Sequence, residues 1–413
     1  MKKYVAISFG FILVGYVLLV FSMLIPNELL TENAMKSAQE LCYQEDYPSL
    51  YLKGAFLENF CDADYIAVAY NQRTHNPLTN ALDAYNYCYN EESGANRGVR
   101  GLYVTFYDYS QKIYEHSHAW HGYRIFLRPL LVLYSVADIR WLLTSLVFIL
   151  VILICIYIYK ATDKFWAFLP FLFSIVYYNY QLEALSIAIS INFLLMLIPC
   201  IFILYGCING KELDYFHACM FITGLCSAYF ALCDLPSMSI GFPIIMMLAF
   251  NKRNDFDKLL EAFKMTLMWF LGYAVEGIPK FIINEFFMKL EGASTVLIWY
   301  TGKKHGVGIM NRFIKVGELL EEVFDIEKVQ ADIFWAMIVI IFVLLVIRKK
   351  YKEIVVKDIM AYSFVSMIPI LWVIVMIVAA NLDWTPFIFS TMIFAIIQYL
   401  WGVLIKDRNA IIN

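Results

Sequence analysis

Glu58-Asn-Phe-Cys-Asp62-Ala-Asp64 and, further on, His118-Ala-Trp-His121-Gly-Tyr-Arg124-Ile-Phe-Leu-Arg128-Pro129 are the landmarks of one polar segment, roughly Asn27 to Arg140. Two apolar runs bound it, Val5 to Ile25 and Trp141 to Tyr159, each long enough to cross a bilayer as a helix. The reading of that segment decides the fold. Nearly everything after it is apolar, so the segment reads as a large first external loop lying against the bilayer surface, and as the part of the chain that carries chemistry.

Composition supports the membrane setting. A chain of 413 residues that is 61% hydrophobic and 16% charged lacks the polar surface to cover a soluble globule of that size. Its mean hydropathy is +0.65. The net charge of -3 says little, because a membrane protein sorts its charges by side. No strongly basic face stands out, so nucleic acid is not an expected partner. Lys2 and Lys3 precede an apolar run to Pro26 that is long and is followed by no small-x-small pattern; it reads as a retained first span. The nine cysteines show no CxxC or Cys/His metal spacing. Cys155, Cys200 and Cys226 read as small apolar residues of spans, whereas Cys42, Cys61 and Cys88 fall in the loop, where one pair could form a disulfide.

With roughly 20 apolar residues per crossing as the ruler, the chain reads as an all-α polytopic membrane protein with about ten transmembrane helices. They run approximately over Val5–Ile25, Trp141–Tyr159, Lys164–Tyr178, Glu183–Tyr205, Phe216–Cys233, Ser237–Phe250, Leu260–Ile283, Ile333–Ile347, Met360–Leu382 and Pro386–Ile405. Lys2, Lys3, Lys160, Lys164, Lys211, Lys252, Arg253, Lys258, Arg348, Lys349, Lys350, Lys352, Lys406 and Arg408 then share one side. By the positive-inside rule that side is the cytoplasm, which makes this a multi-pass cell-membrane protein with both termini cytoplasmic. The first loop (27–140) and a second (284–332) face out, the second holding Lys303, Lys304, Arg312 and Lys315 as an exception that long loops are allowed. No internal repeat or flexible linker divides the chain, so residues 1–413 read as a single membrane domain.

Within the first loop, Ala34–Leu41 and Gly54–Ala69 place apolar residues at helical spacing opposite carboxylates, as in helices lying in the interfacial plane. Ala84–Arg100, rich in Asn and Gly, reads as exposed loop. Trp120–Leu133 turns apolar again, with Arg124 and Arg128 on one helical face and Pro129 just past them.

Glu58 and Asp62 are one helical turn apart, with Asp64 offset around the axis. Close carboxylates cannot all ionise freely, which suits one of them to act as a general base. Asp62 and Asp64 could instead hold Mg²⁺ or Mn²⁺ against a phosphate, or the acids could be a solvated helix face. His116, His118 and His121 are followed by Arg124 and Arg128, groups able to grip a phosphate or, equally, to form an interfacial belt. Their spacing is poor for a zinc site. Near the outer end of a span, Glu276 and Lys280 could pair across one turn, or Lys280 could face a cavity as countercharge to a lipid phosphate. Glu183 and Asp234 also sit near span ends, and Asp234-Leu-Pro236 reads as a turn. His217, near the start of a span, is the single candidate for membrane acyl transfer.

These blocks carry a resemblance. Glu58-Asn-Phe-Cys-Asp62, Ala119-Trp-His-Gly-Tyr-Arg-Ile-Phe-Leu-Arg-Pro129, Asp234-Leu-Pro-Ser-Met-Ser-Ile-Gly-Phe-Pro243 and Trp269-Phe-Leu-Gly-Tyr273 with Lys280 resemble bacterial members of the GT-C superfamily of integral membrane glycosyltransferases. The resemblance extends to about residue 285. It implies transfer of a sugar from a polyprenyl-phosphate donor to a glycan acceptor outside the cytoplasm, in contact with membrane lipids. It implies an acidic residue of the first loop as base or metal ligand, a role falling to Asp62 with Glu58 or Asp64 assisting. His121, Arg124, Arg128 and Lys280 would then hold the lipid phosphate. A transporter or flippase of a lipid-linked glycan is the alternative; it would call for repeats with broken helices and mid-span charges.

Overall fold

The computed structural model describes residues 2–48, 57–88, 98–107, 112–115, 119–177, 185–230, 236–253, 257–283, 328–347, 354–380 and 390–405. His116, His118, Glu183, Asp234, Lys303, Lys304, Arg312, Lys315 and most of the expected second loop lie outside the described residues.

The first apolar run forms helix α1 (Lys2–Met23), and Pro26, in an extended conformation, separates it from α2 (Asn27–Gln44). On α2, Leu30, Ala34, Ala38 and Leu41 form a fully buried stripe, while Glu28, Glu32, Lys36 and Gln39 face solvent. α3 (Asn59–Tyr70) follows, and here the structure departs from the expected interfacial helix. Asn59 and the run from Asp62 to Ala69 are buried on every side, so α3 is the central rod of a folded unit. Its alanines, Ala63, Ala67 and Ala69, leave room for neighbours to close around it.

The short α4 (Pro77–Leu82) begins at Asn76, whose side chain accepts from the Leu78 amide. After it the chain forms strand β1 (Tyr85–Cys88), then α5 (Val99–Tyr107) and strand β2 (Lys112–Glu115). β1 and β2 pair antiparallel, Tyr85 opposite Glu115 and Cys88 opposite Lys112. This ladder corrects the open loop expected from Ala84, while the fold remains helical overall. Four residues alternating Tyr with polar groups are too short to show as a period, and their partner strand is distant in sequence. α6 (Arg124–Leu133) contains Pro129 within it, directly after Arg128. α7 (Val136–Thr162) starts where the Asp138 carboxylate reaches back to the Ser135 amide, 3.4 Å.

The remaining described helices are α8 (Leu169–Tyr177), α9 (Ile187–Ile208), α10 (Leu213–Phe230), α11 (Pro236–Phe250), α12 (Lys258–Ile282), α13 (Lys328–Ile347), α14 (Val356–Ala380) and α15 (Ser390–Ile405). Among the described residues α1, α7 and α9 are long and apolar enough to cross a membrane, and shorter apolar helices accompany them. The chain is a helical, membrane-embedded protein. α9 is its hub: 72% of its apolar window is enclosed by protein, against 22% for α1 and 33% for α7. α10 and α12 cross at close range through Gly224 and Gly272, where a Cβ would stand 2.1 Å from the carbonyl oxygens of Trp269 and Phe221.

The core of the loop unit is continuous with the membrane body. Leu30, Ile66, Leu102 and Leu127 pack with Ile139 and Leu143 of α7 and with Ile187 and Ile191 of α9. The loop is therefore docked on the ends of α7 and α9. Cys42 and Cys61 both carry thiols, and the Cys88 side chain lies outside the described residues.

Candidate functional site

Asp62 is wholly buried at the junction of loop and body. The Arg140 guanidinium, from the first turns of α7, lies 2.7 Å from one of its oxygens and donates from Nε at 2.8 Å. The amides of Ile187 and Ala188, at the N-terminus of α9, donate to the same carboxylate at 2.9 and 3.0 Å. A helix N-terminus offers unpaired N–H groups and a positive dipole end, so a carboxylate is the natural plug. Asn59 Oδ1 accepts at 2.6 Å from Arg140 Nη2, the same nitrogen that lies 2.7 Å from Asp62. In this arrangement Asp62 ties α3, α7 and α9 together.

The same enclosure bears on metal binding. A divalent cation at Asp62 would sit against a guanidinium, with both oxygens already accepting hydrogen bonds. Among the described residues no group of three or more His, Cys, Asp or Glu is placed to hold a metal. The residues present do not fit Mg²⁺ or Mn²⁺ at Asp62 and Asp64.

Glu58 caps α3, its carboxylate accepting from the Cys61 amide at 3.4 Å, while its own amide donates to Ser186 Oγ at 2.8 Å. Asp64 is the least buried of the three acids, at 8% exposure against 2% for Glu58 and none for Asp62. Tyr47, half exposed and stacked on Phe60, lies within electrostatic range of both Glu58 and Asp64. Burial raises its phenol, and those charges raise it further. Tyr47 therefore marks the solvent side of the acids.

His121 adopts a left-handed backbone, φ 53°, uncommon for a residue with a side chain. The next residue explains the turn. The Gly122 amide donates to the Tyr229 carbonyl at 2.8 Å, and a Cβ there would meet the Tyr229 ring at 2.2 Å. The turn thus seats the loop on the end of α10. His121 Nδ1 lies 3.1 Å from the Tyr123 hydroxyl, and Tyr123 stacks on Tyr65 of α3 at 4.0 Å between centroids. Burial pushes the Tyr123 phenol well above its ordinary value; Arg124 opposes the rise and Asp64 adds to it.

Arg124 and Arg128 are employed differently from the phosphate clamp expected of them. Arg124, buried and with its pKa lowered by that burial, donates to the carbonyls of Ala81, Asp83 and Asn80 at 2.8 to 3.0 Å and so closes the end of α4. Arg128 donates to the carbonyls of Ser22, Ile25 and Ala69, stapling the ends of α1 and α3. Burial lowers its pKa to about 10, which leaves it protonated at neutral pH. Their donors already serve backbone carbonyls, so this arrangement leaves neither guanidinium open to a phosphate. Lys280, buried at the end of α12, donates to the Leu82 carbonyl and lies 5.5 Å over the Trp120 ring. It forms no ion pair with Glu276 among the described residues, contrary to one of the two sequence readings.

Directly below the docked loop is an apolar groove of about 560 Å³ between α6, α9 and α10. Phe126, Ile191, Cys226 and Phe230 line its loop end; Phe202 and Tyr215 line the far end. Ile191 is one helical turn from Ile187, the residue whose amide holds Asp62. The loop end of the groove is thus one turn of α9 from the amide that holds Asp62, and the acids of α3 are not part of its lining.

Arg140, Asn59, Tyr123 and Tyr47 are functional candidates that sequence reading missed. Arg140 stands at the mouth of a span, where an arginine ordinarily reports topology alone, and no local spacing ties it to Asp62. No known protein family, curated protein or solved structure matches the chain.

Proposed function

We propose that this chain is a membrane glycosyltransferase that moves a sugar from a polyprenyl-phosphate donor to an extracytoplasmic glycan acceptor. The observation that carries the reading is the apolar groove, sized for a lipid tail, whose end at Ile191 is one turn of α9 from the amide that holds the buried Asp62 of the polar loop unit. A water-soluble substrate has no use for such a groove; a lipid with a polar head needs both parts. The resemblance of the loop blocks to GT-C enzymes points the same way.

In this reading about ten spans cross the membrane, both termini are cytoplasmic and the loop unit faces out. The lipid tail lies along α9 and α10 with its phosphate at the loop end. Asp64, the most exposed of the three acids, takes the proton of the acceptor hydroxyl. Glu58 supports it, and Asp62 holds the geometry through Arg140. The attacking oxygen bonds to the anomeric carbon as the bond to phosphate breaks, and the electron pair leaves on the lipid phosphate. His121 and Lys280 stabilise that charge. No step is assigned to a metal ion, because Asp62 is already enclosed by Arg140 and two amides.

The test is release of polyprenyl phosphate from a radiolabelled polyprenyl-phosphate sugar by purified protein in lipid. Asp64→Asn lowers turnover about 100-fold or more, the scale of a lost general base, with melting temperature unchanged. Full activity in Asp64→Asn would remove the base assignment, and absence of any lipid phosphate release by the wild-type protein would remove the reading.

A further inference from the structure

α12 carries a buried acid, Glu276, that the transfer step above does not use. Glu276 is fully buried, and neither of its carboxylate oxygens has a hydrogen-bond partner among the described residues. The helix turn that bears it is fixed: Trp120 Nε1 donates to the Glu276 backbone carbonyl at 2.9 Å. Trp120 immediately precedes the strained His121 turn, and its ring also supports Lys280. Glu276 acts electrostatically on Cys226 and Tyr229 of α10, and Cys226 is part of the groove wall at the loop end. An acid without partners inside a membrane body is costly and marks a place that a ligand completes.

The surroundings select the ligand. Lys280, one helical turn on, has Arg124 and Asp83 as its charged neighbours, and no group of three or more His, Cys, Asp or Glu is placed to hold a metal among the described residues. Hydroxyl groups suit the site better, because each donates to a carboxylate while accepting from another group. Glu276 and Lys280 are one helical turn apart, about 5–6 Å between Cβ atoms, the scale of a single sugar ring. A glycosyl phosphate places an anion and a set of ring hydroxyls at that separation.

We infer that Glu276 is the sugar-recognising residue of the donor site, accepting hydrogen bonds from ring hydroxyls of the saccharide whose lipid phosphate lies toward Lys280. This rests on the donor-groove reading and adds to it a residue for the sugar as distinct from the lipid.

The experiment uses full-length protein in nanodiscs. Its probes are undecaprenyl phosphate alone and undecaprenyl phosphate bearing glucose, galactose, mannose or N-acetylglucosamine. Wild-type protein binds at least one glycosylated lipid about tenfold more tightly than the bare lipid, about 1.4 kcal/mol. Glu276→Gln binds the bare lipid as wild type does, which shows that it is folded, and loses that preference; Glu276→Asp recovers part of it. A preference retained in Glu276→Gln, or none in wild type, overturns the inference while leaving the lipid groove standing. Failure of wild-type protein to bind any of these lipids overturns the donor-groove reading and this inference with it.

Discussion

Replacing Asp62 by Asn tests the central joint of the molecule. The carboxylate accepts two contacts from Arg140, at 2.7 and 2.8 Å, and two from helix N-terminal amides, at 2.9 and 3.0 Å. An asparagine keeps one acceptor oxygen and turns an NH₂ group toward donors that cannot accept. It also leaves the Arg140 guanidinium, whose side chain is 7% exposed, charged and buried with Asn59 as its remaining side-chain acceptor. Breaking a buried ion pair from one side costs about 3–5 kcal/mol, because the surviving charge keeps its desolvation penalty. Exposed pairs cost far less, but this one is enclosed by three helices. The assay is unfolding in mixed micelles by added SDS, read on wild type, Asp62→Asn, Arg140→Met and the double variant. The double variant should be less destabilised than the sum of the singles, with a coupling of about 0.5–3 kcal/mol. A loss below about 1 kcal/mol for Asp62→Asn, or strict additivity, would refute the claim that this carboxylate joins loop to body. The same experiment separates Asp62 from Asp64, whose substitution is expected to cost turnover and not stability.

Further outcomes follow from particular contacts. Gly122→Ala sets a Cβ 2.2 Å from the Tyr229 ring and 2.8 Å from its carbonyl oxygen, so thermal unfolding in detergent should register a loss of about 1–3 kcal/mol. Unchanged stability would mean that the His121 turn does not rest on α10. Arg124→Lys cannot reach the carbonyls of Asn80, Ala81 and Asp83 together and should destabilise by about 2 kcal/mol. Unaltered stability with weakened binding of undecaprenyl phosphate would return Arg124 to the phosphate. Ala218→Trp fills the middle of the groove and should weaken binding of that lipid about tenfold or more without lowering the melting temperature, about 1.4 kcal/mol of affinity. Unchanged lipid binding would separate the groove from the donor.

Much of the architecture was legible because membrane spans obey a one-dimensional rule. Apolar length alone brackets α1, α7 and α9, since no water is present in the bilayer core to satisfy an exposed backbone. The polar segment between the first two spans, and the acids and basic residues it carries, were equally readable as composition. Helical spacing also placed Arg124 and Arg128 on one face, which holds within α6.

What those residues do depended on contacts distant in sequence. The two arginines resemble a phosphate clamp until the chain ends of α1, α3 and α4 are brought to them, because an unsatisfied carbonyl and a phosphate oxygen look alike to a guanidinium. α3 reads as amphipathic because its acids are polar, yet burial encloses them: Arg140, 78 positions away, and the amides of α9, 125 and 126 away, neutralise Asp62 inside the core. The four-residue strands pair across more than twenty positions and leave no period to detect. Sequence alone determined that this chain lives in a membrane and where its polar loop lies, since both follow from how much apolar surface each stretch carries. Only the tertiary structure decided which charges are spent on holding the fold and which, like Glu276, are buried without a hydrogen-bond partner among the described residues, because a charge's role is set by its neighbours in space and by the water removed from around it.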